Sequence, residues 1–167
     1  GYAYLSGPAS AAELAPEKLP PVERAEYLEL PRLDSRIAAL ANQWTAGAPD
    51  PEARAAAIEQ HLRRDYSYSL DLLKVEVADP LAHFLFERRA GHCEYFASAM
   101  AVMLRTLGIP ARVATGFQSG IYNPVSGWQV IRASDAHSWV EAYLPRSGWT
   151  TFDPTPPDPN FAQMGLG

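Results

Sequence analysis

The sequence predicts an α+β fold, with a helical first part packed on an antiparallel sheet. Between Asp34 and Leu107 apolar residues recur three and four apart, the period of a helix with one buried face. Beyond Pro110 the pattern changes to short runs rich in β-branched and aromatic residues, the mark of strands. The links between those runs, "SGIYNPVSG", "DA" and "PRSG", are turn-like, and consecutive strands with short links pair antiparallel. Helices first and strands after is a segregated plan, and 167 residues suffice for one domain with a core.

Residues 1–33 contain Pro8, Pro16, Pro20, Pro21 and Pro31, which forbid long helices, so this segment is expected to be a Pro-rich irregular arm with short helical turns at most. The main body is expected over 34–160, with a tail at 161–167. Ile37, Leu40, Ala41 and Trp44 form the first helical face, with Asp34 or Ser35 as N-cap and Gly47 as terminator. A second helix starts at Asp50 as cap and Pro51 in its first position, with Glu52 and Glu59 flanking an alanine-rich face. Tyr66, Tyr68 and Leu70 alternate with Ser67 and Ser69, which predicts a short extended segment, and residues 71–80 read as a loop. "PLAHFLFER" is a short helix with Leu81, Phe84 and Leu85 on one side.

The clearest helix follows. Phe96, Met100, Met103, Leu104 and Leu107 make a buried stripe, Gly108 supplies a left-handed stop and Pro110 a barrier beyond it. The strands are "ARVATGFQ", "WQVIRAS", "HSWVEAYL" and "WTTFDPT".

Composition narrows the function. A net charge of −5 disfavours nucleic-acid binding, which needs a basic surface to neutralise phosphates. A single cysteine excludes an intramolecular disulfide. The longest apolar run, around "YFASAMAVML", is far short of the roughly 20 residues that span a bilayer. No signal peptide is visible and the first residue is Gly1, so the chain reads as a piece of a longer protein.

The one cysteine, Cys93, lies at the start of the clearest helix, on the face that carries Phe96. Unpaired N–H groups and the helix dipole favour a thiolate there, which makes a better nucleophile near neutral pH. Most lone cysteines are simply small buried hydrophobes, so position alone does not decide. His137 opens "HSWVEAYL" at the end of a turn, and Asp153 precedes a proline, hence is extended. His137, Trp139, Glu141 and Tyr143 share one face of their strand; Trp149, Thr151 and Asp153 share one face of the next. Antiparallel pairing through "PRSG" would bring Asp153 near His137, where a carboxylate fixes the imidazole tautomer. Cys–His–Asp is a nucleophile–base–orienter set.

"GHCEYFASAMAVMLRTLGIPARVATGF", "DAHSWVEAYLPRSGWTTFDPT" and "HLRRDYSYSL" resemble the transglutaminase-like family, within the papain-like cysteine enzyme superfamily, over residues 50–157. The resemblance implies Cys93 as nucleophile, His137 as base and Asp153 as orienter, in a transglutaminase-like catalytic domain over 34–160. It implies acyl transfer through a thioester, from a glutamine side-chain amide to an amine such as lysine, with deamidation as side reaction. Peptidase or amidase activity on peptides is the near alternative, and a non-catalytic binding or scaffold domain the alternative from another class. "FLFERRAGHCEYFASAM" resembles the form found in bacterial membrane proteins, where the domain is held outside the cytoplasm. That implies a periplasmic or extracytoplasmic domain of an inner-membrane protein, anchored through segments outside this sequence.

Several neighbours have two readings. His92, often tyrosine in relatives, assists the thiolate or is a polar residue on the cleft rim. Glu94 reads as a helix N-terminal carboxylate favoured by the dipole rather than a catalytic acid, since its charge would oppose thiolate formation. Trp128 and Trp139 line a substrate groove or pack on the sheet. Tyr66 or Tyr68 donates to an oxyanion or belongs to the core. Asp135 shapes the approach to His137 or forms the turn. His61 and His83 read as helix-surface residues. Zinc has chemically able ligands in Cys93, His92, His137 and Asp153, yet no Cys-x-x-Cys or His-x-x-x-His pair anchors it. Asp71, Glu76 and Asp79 are too sparse for calcium. The expectation is therefore catalysis with neither metal nor other cofactor.

Overall fold

The computed structural model describes residues 18–71, 76–117, 121–130 and 135–158. Residues 1–17 of the expected arm and the tail at 161–167 lie outside them. Within the arm, Pro21–Glu26 forms the short helix α1, with proline in its first turn. The segment around it is tied to the body: Ala111 N donates to the Tyr27 carbonyl, and Arg105 donates to the Glu29 carbonyl.

Helix α2 spans Ser35–Trp44 and α3 spans Pro51–Asp65. Each starts where a carboxylate accepts a first-turn N–H. Asp34 takes that of Arg36 and Asp50 that of Ala53, both at 2.9 Å. Between them they bury Ile37, Ala41, Ala55, Ile58 and Leu62. His61 is half-buried, not on open surface: it stacks on Trp44 with centroids 4.7 Å apart and bonds Asp65 at 2.8 Å.

The two-residue strand β1, Ser67–Tyr68, pairs parallel with β2, Ala90–Gly91. Between them runs the expected short helix, in two parts. Pro80–His83 is α4, capped by Asp79, and Phe84–Arg88 widens into a π-turn. It closes where Arg89 N bonds the Phe84 carbonyl and Arg89 takes φ 54°. The Arg89 guanidinium lies over the Tyr66 ring and donates to the Asp65 carbonyl, contacts that hold a left-handed residue which is not glycine. Gly91 must be glycine: a Cβ there would stand 2.9 Å from a Tyr95 ring carbon.

Helix α5, Cys93–Thr106, is the centre of the core, burying Phe96, Ala97, Ala99, Met100, Ala101, Met103 and Leu104. Gly108, at φ 74°, ends it as expected. Against it lies an antiparallel sheet in the order β3–β6–β7, formed by Ala111–Phe117, Ala136–Leu144 and Gly148–Phe152. The inner row Ser138, Val140, Ala142 and Leu144 is buried and alternates with half-buried His137, Trp139, Glu141 and Tyr143.

The sheet corrects one expectation. The run "WQVIRAS" does not sit between its neighbours in sequence. Trp128–Val130 is β5, paired with β4, Ile121–Asn123, in a separate antiparallel hairpin, while β3 pairs β6 directly from Ala111↔Ala142 to Phe117↔Ala136. The supposed turn "SGIYNPVSG" holds β4, and the reversal is confined to residues 124–127, with Gly127 at φ 71°. Local pairing through a tight turn competes here with insertion into the sheet, and β3 and β6 are the strands that cover α5. Residues 131–134 of the expected strand lie outside the described ones.

Candidate active site

Cys93 is the first residue of α5, set at the mouth of the core by the buried stripe behind it. It is a free thiol, partly exposed. His92 is the N-cap in extended conformation, and its side chain makes no capping bond to the first turn.

His137 is the second residue of β6, its side chain 14% exposed. Asp153 follows β7 directly. The β6–β7 register, Leu144↔Gly148 to Val140↔Phe152, carries Asp153 to the level of Trp139. From there Asp153 Oδ2 lies 2.8 Å from His137 Nε2. A carboxylate only accepts, so Nε2 holds the proton and Nδ1 is left as the basic nitrogen. Cys93 and His137 line one cavity of about 410 Å³, together with His92, Glu94, Thr115, Gly116 and Phe117. A second cavity, about 520 Å³, adjoins it through His92 and Glu94 and runs between Pro31–Leu33 and Ala78–Leu81. The smaller one is the candidate active site, because Cys93 and His137 both line it.

Of the two tyrosine candidates, Tyr68 is the one on the Cys93 side. It pairs with Gly91, two residues before Cys93. Burial, then the negative charges of a Cys93 thiolate and Asp158, hold its phenol above the usual tyrosine range. Tyr66 is 5% exposed and donates its hydroxyl to the Leu85 carbonyl at 2.8 Å, so it belongs to the core. Trp139 packs its ring over Gly116, where a Cβ would meet it at 2.9 Å. Trp128 is 74% exposed on the β4–β5 hairpin and Asp135 immediately precedes β6; neither lines the cavity. His92 does line it, with its ring edge-on to Tyr95 and Nδ1 3.9 Å from Glu94 Oε2.

Asp153 is held at four points. Oδ1 accepts from Thr155 N at 3.1 Å, and Oδ2 meets His137. Its own N–H donates to Glu59 Oε1 at 2.8 Å, and its carbonyl accepts from Arg63 at 3.0 Å. Sequence reasoning missed these two partners. The available signal was that Glu59 and Arg63 follow the buried Ile58 and Leu62, one turn apart, along one border of the α3 core stripe. Among the described residues no three metal-capable side chains gather. Asp79 caps α4, and the Asp71 carbonyl accepts from Arg88.

A helix-start cysteine sharing a cavity with a strand-borne imidazole that a carboxylate grips is the layout of a papain-like cysteine enzyme fold. The chain belongs to the transglutaminase-like superfamily, whose sequence profile matches residues 38–154. It is 38% identical to a protein-glutamine gamma-glutamyltransferase of Pseudomonas aeruginosa over 85% of this chain and 21% of that protein. It is 37% identical to the uncharacterized protein YebA of Bacillus subtilis, over 83% of this chain and 20% of that one. The chain thus spans about a fifth of the length of these relatives. The crystal structure of the periplasmic domain of TgpA from Pseudomonas aeruginosa superposes with a TM-score of 0.75 at 38% identity, covering 81% of this chain and 48% of that one. A putative cysteine protease from Cytophaga hutchinsonii shares the fold, with a TM-score of 0.61 at 24% identity over 80% of this chain and 42% of that one. No helix among the described residues is long and apolar enough to cross a membrane.

Proposed function

We propose that Cys93, His137 and Asp153 form a catalytic triad that transfers acyl groups through a thioester, with a protein glutamine side chain as donor and an amine such as lysine as acceptor. The observation that carries this is the 2.8 Å His137–Asp153 bond beside a cavity that Cys93 also lines. The thiolate attacks the amide carbon. The Cys93 N–H and the Tyr68 hydroxyl stabilise the oxyanion. His137, as imidazolium, gives its proton to the departing nitrogen, and ammonia leaves. Neutral His137 then takes a proton from the incoming amine, the new amide forms and Cys93 is released as the thiolate, which restores the thiolate–imidazolium pair. Water in place of the amine gives glutamate.

The similarity to a protein-glutamine gamma-glutamyltransferase supports transfer over peptide cleavage. The similarity to a periplasmic domain supports an extracytoplasmic location, in a parent protein anchored in the membrane by segments outside this sequence. The catalytic unit is assigned to 34–160. The test is incubation with a glutamine-containing casein and a tagged primary amine, wild type beside Cys93→Ala, read by mass spectrometry. Incorporation of the amine, lost in the variant, is the expected result. Deamidation alone would mean a hydrolase, and chain cleavage a peptidase.

A further inference from the structure

Asp153 lies one residue beyond the last strand. The β6–β7 ladder stops at the Val140↔Phe152 pair, so the sheet does not hold the Asp153 backbone. Pro154 follows and has no N–H to tie the chain down on the other side. Helix α3 takes over the task. Glu59 accepts the Asp153 N–H at 2.8 Å, and Arg63, one turn on, donates to the Asp153 carbonyl at 3.0 Å. Both main-chain polar groups of the residue are thus fastened to one helix, and α3 is itself anchored in the core through Ala55, Ile58 and Leu62.

We infer that Glu59, assisted by Arg63, is a positioning residue: it sets the backbone of Asp153, and through it the angle at which the carboxylate grips His137. The inference rests on the triad reading above. Glu59 is half-buried and stands near a second carboxylate, and its carboxyl is held above the usual range first by burial and also by the charge of Asp153. An apolar residue at this place would avoid both costs. What it could not supply is an acceptor for the Asp153 N–H, and without that bond the main chain that carries the carboxylate is held on the α3 side by Arg63 alone. Displacements of about 1 Å in a catalytic constellation can cost as much as 100-fold in rate.

Three variants of the full chain test this: Glu59→Leu, which keeps the bulk and removes the acceptor; Glu59→Gln, which keeps an amide oxygen to accept; and Arg63→Met. Each is measured for thermal stability, for kcat and KM of amine incorporation, and for the rate of Cys93 alkylation by iodoacetamide across acid to alkaline pH. Glu59→Leu should lose about 10- to 100-fold in kcat with KM within about twofold, and its alkylation at acid pH should slow in step. Glu59→Gln should restore most of both. A merely structural residue would change melting without changing the alkylation profile of the folded protein. A folded Glu59→Leu with wild-type kcat and wild-type alkylation overturns the inference. Should Glu59→Leu fail to fold, Arg63→Met decides, because that bond is exposed: a several-fold fall in kcat at constant KM supports the strap, and unchanged kcat and alkylation overturn it. The triad reading is tested separately by the wild type. Acid-pH alkylation no faster than that of free cysteine removes the triad and this inference with it, whereas fast alkylation without amine incorporation removes only the transfer reaction.

Discussion

Cys93 and Asp153 stand at opposite ends of the proposed triad and are held by different forces. Cys93 begins a helix whose following turns bury seven named side chains, Phe96 through Leu104, so its position follows from packing. Asp153 sits past the end of a strand and is fixed by polar bonds from residues 90 and 94 positions away in sequence. Packing announces itself as periodicity. Polar fastening across such distances leaves no periodic trace, and it can be altered with little loss of fold. Damage at the first place should therefore appear as lost stability, and damage at the second as lost rate in a folded protein.

The largest effect should come from Asp153→Asn. An amide keeps the shape but offers a donor to Nε2 and so favours the wrong imidazole tautomer. kcat should fall by up to about 10⁴-fold, with melting nearly unchanged. Near-normal turnover in that variant would remove Asp153 from the set. Phe96→Ala should show the reverse. Phe96 is fully buried and meets Phe84 edge-on at 5.0 Å, so truncation should cost about 3–5 kcal/mol in denaturant unfolding, while kcat per folded molecule stays within severalfold of wild type.

Two carboxylates on α3 sharpen the comparison through pH. Asp65 is held below the usual range, first by the Arg64 hydrogen bond and then by His61. Its contribution is present above the ordinary carboxylate range and is lost as pH falls through its folded value. Glu59 is raised, chiefly by burial, so the native state binds its proton more tightly, and its contribution is lost as pH rises from the ordinary value through the folded one. Urea midpoints across pH should show opposite trends. Asp65→Asn loses stability relative to wild type as pH rises out of the acid range, and Glu59→Gln gains it. Each effect should stay within about 1 kcal/mol.

Trp128→Ala should do least among the substitutions, within about 0.5 kcal/mol and with unchanged kcat, because the side chain is mostly solvent-exposed. Excess EDTA should leave turnover unchanged, since the helix start and the imidazole supply the activation of the thiol. Loss on chelation, restored by calcium, would point to an ion site in the loop between Asp71 and Asp79.

What was legible follows the same division. The α5 stripe, the Asp34 and Asp50 caps and the hairpin through "PRSG" are local patterns, and the hairpin was enough to bring Asp153 within bonding distance of His137. Tyr66 and Tyr68 carry the same alternation, so sequence could not separate the buried phenol from the one beside Cys93. Strand order at β4–β5 is not legible, because a short run pairs equally well with its neighbour in sequence or with a distant strand, and here a tight turn favours the neighbour. The π-turn at Phe84–Arg88 ends on Arg89, whose partners Tyr66 and Asp65 lie more than 20 residues back in the chain, which no spacing encodes.

Every proposed step runs through acyl transfer to Cys93, and that intermediate can be trapped as a thioester. The protein is mixed with a glutamine-containing peptide, quenched in acid before an amine is added, and weighed intact. The expected product is an adduct equal to the peptide less one ammonia, located on Cys93, absent from Cys93→Ala, and discharged by hydroxylamine. An unmodified Cys93 alongside continued release of ammonia would contradict it.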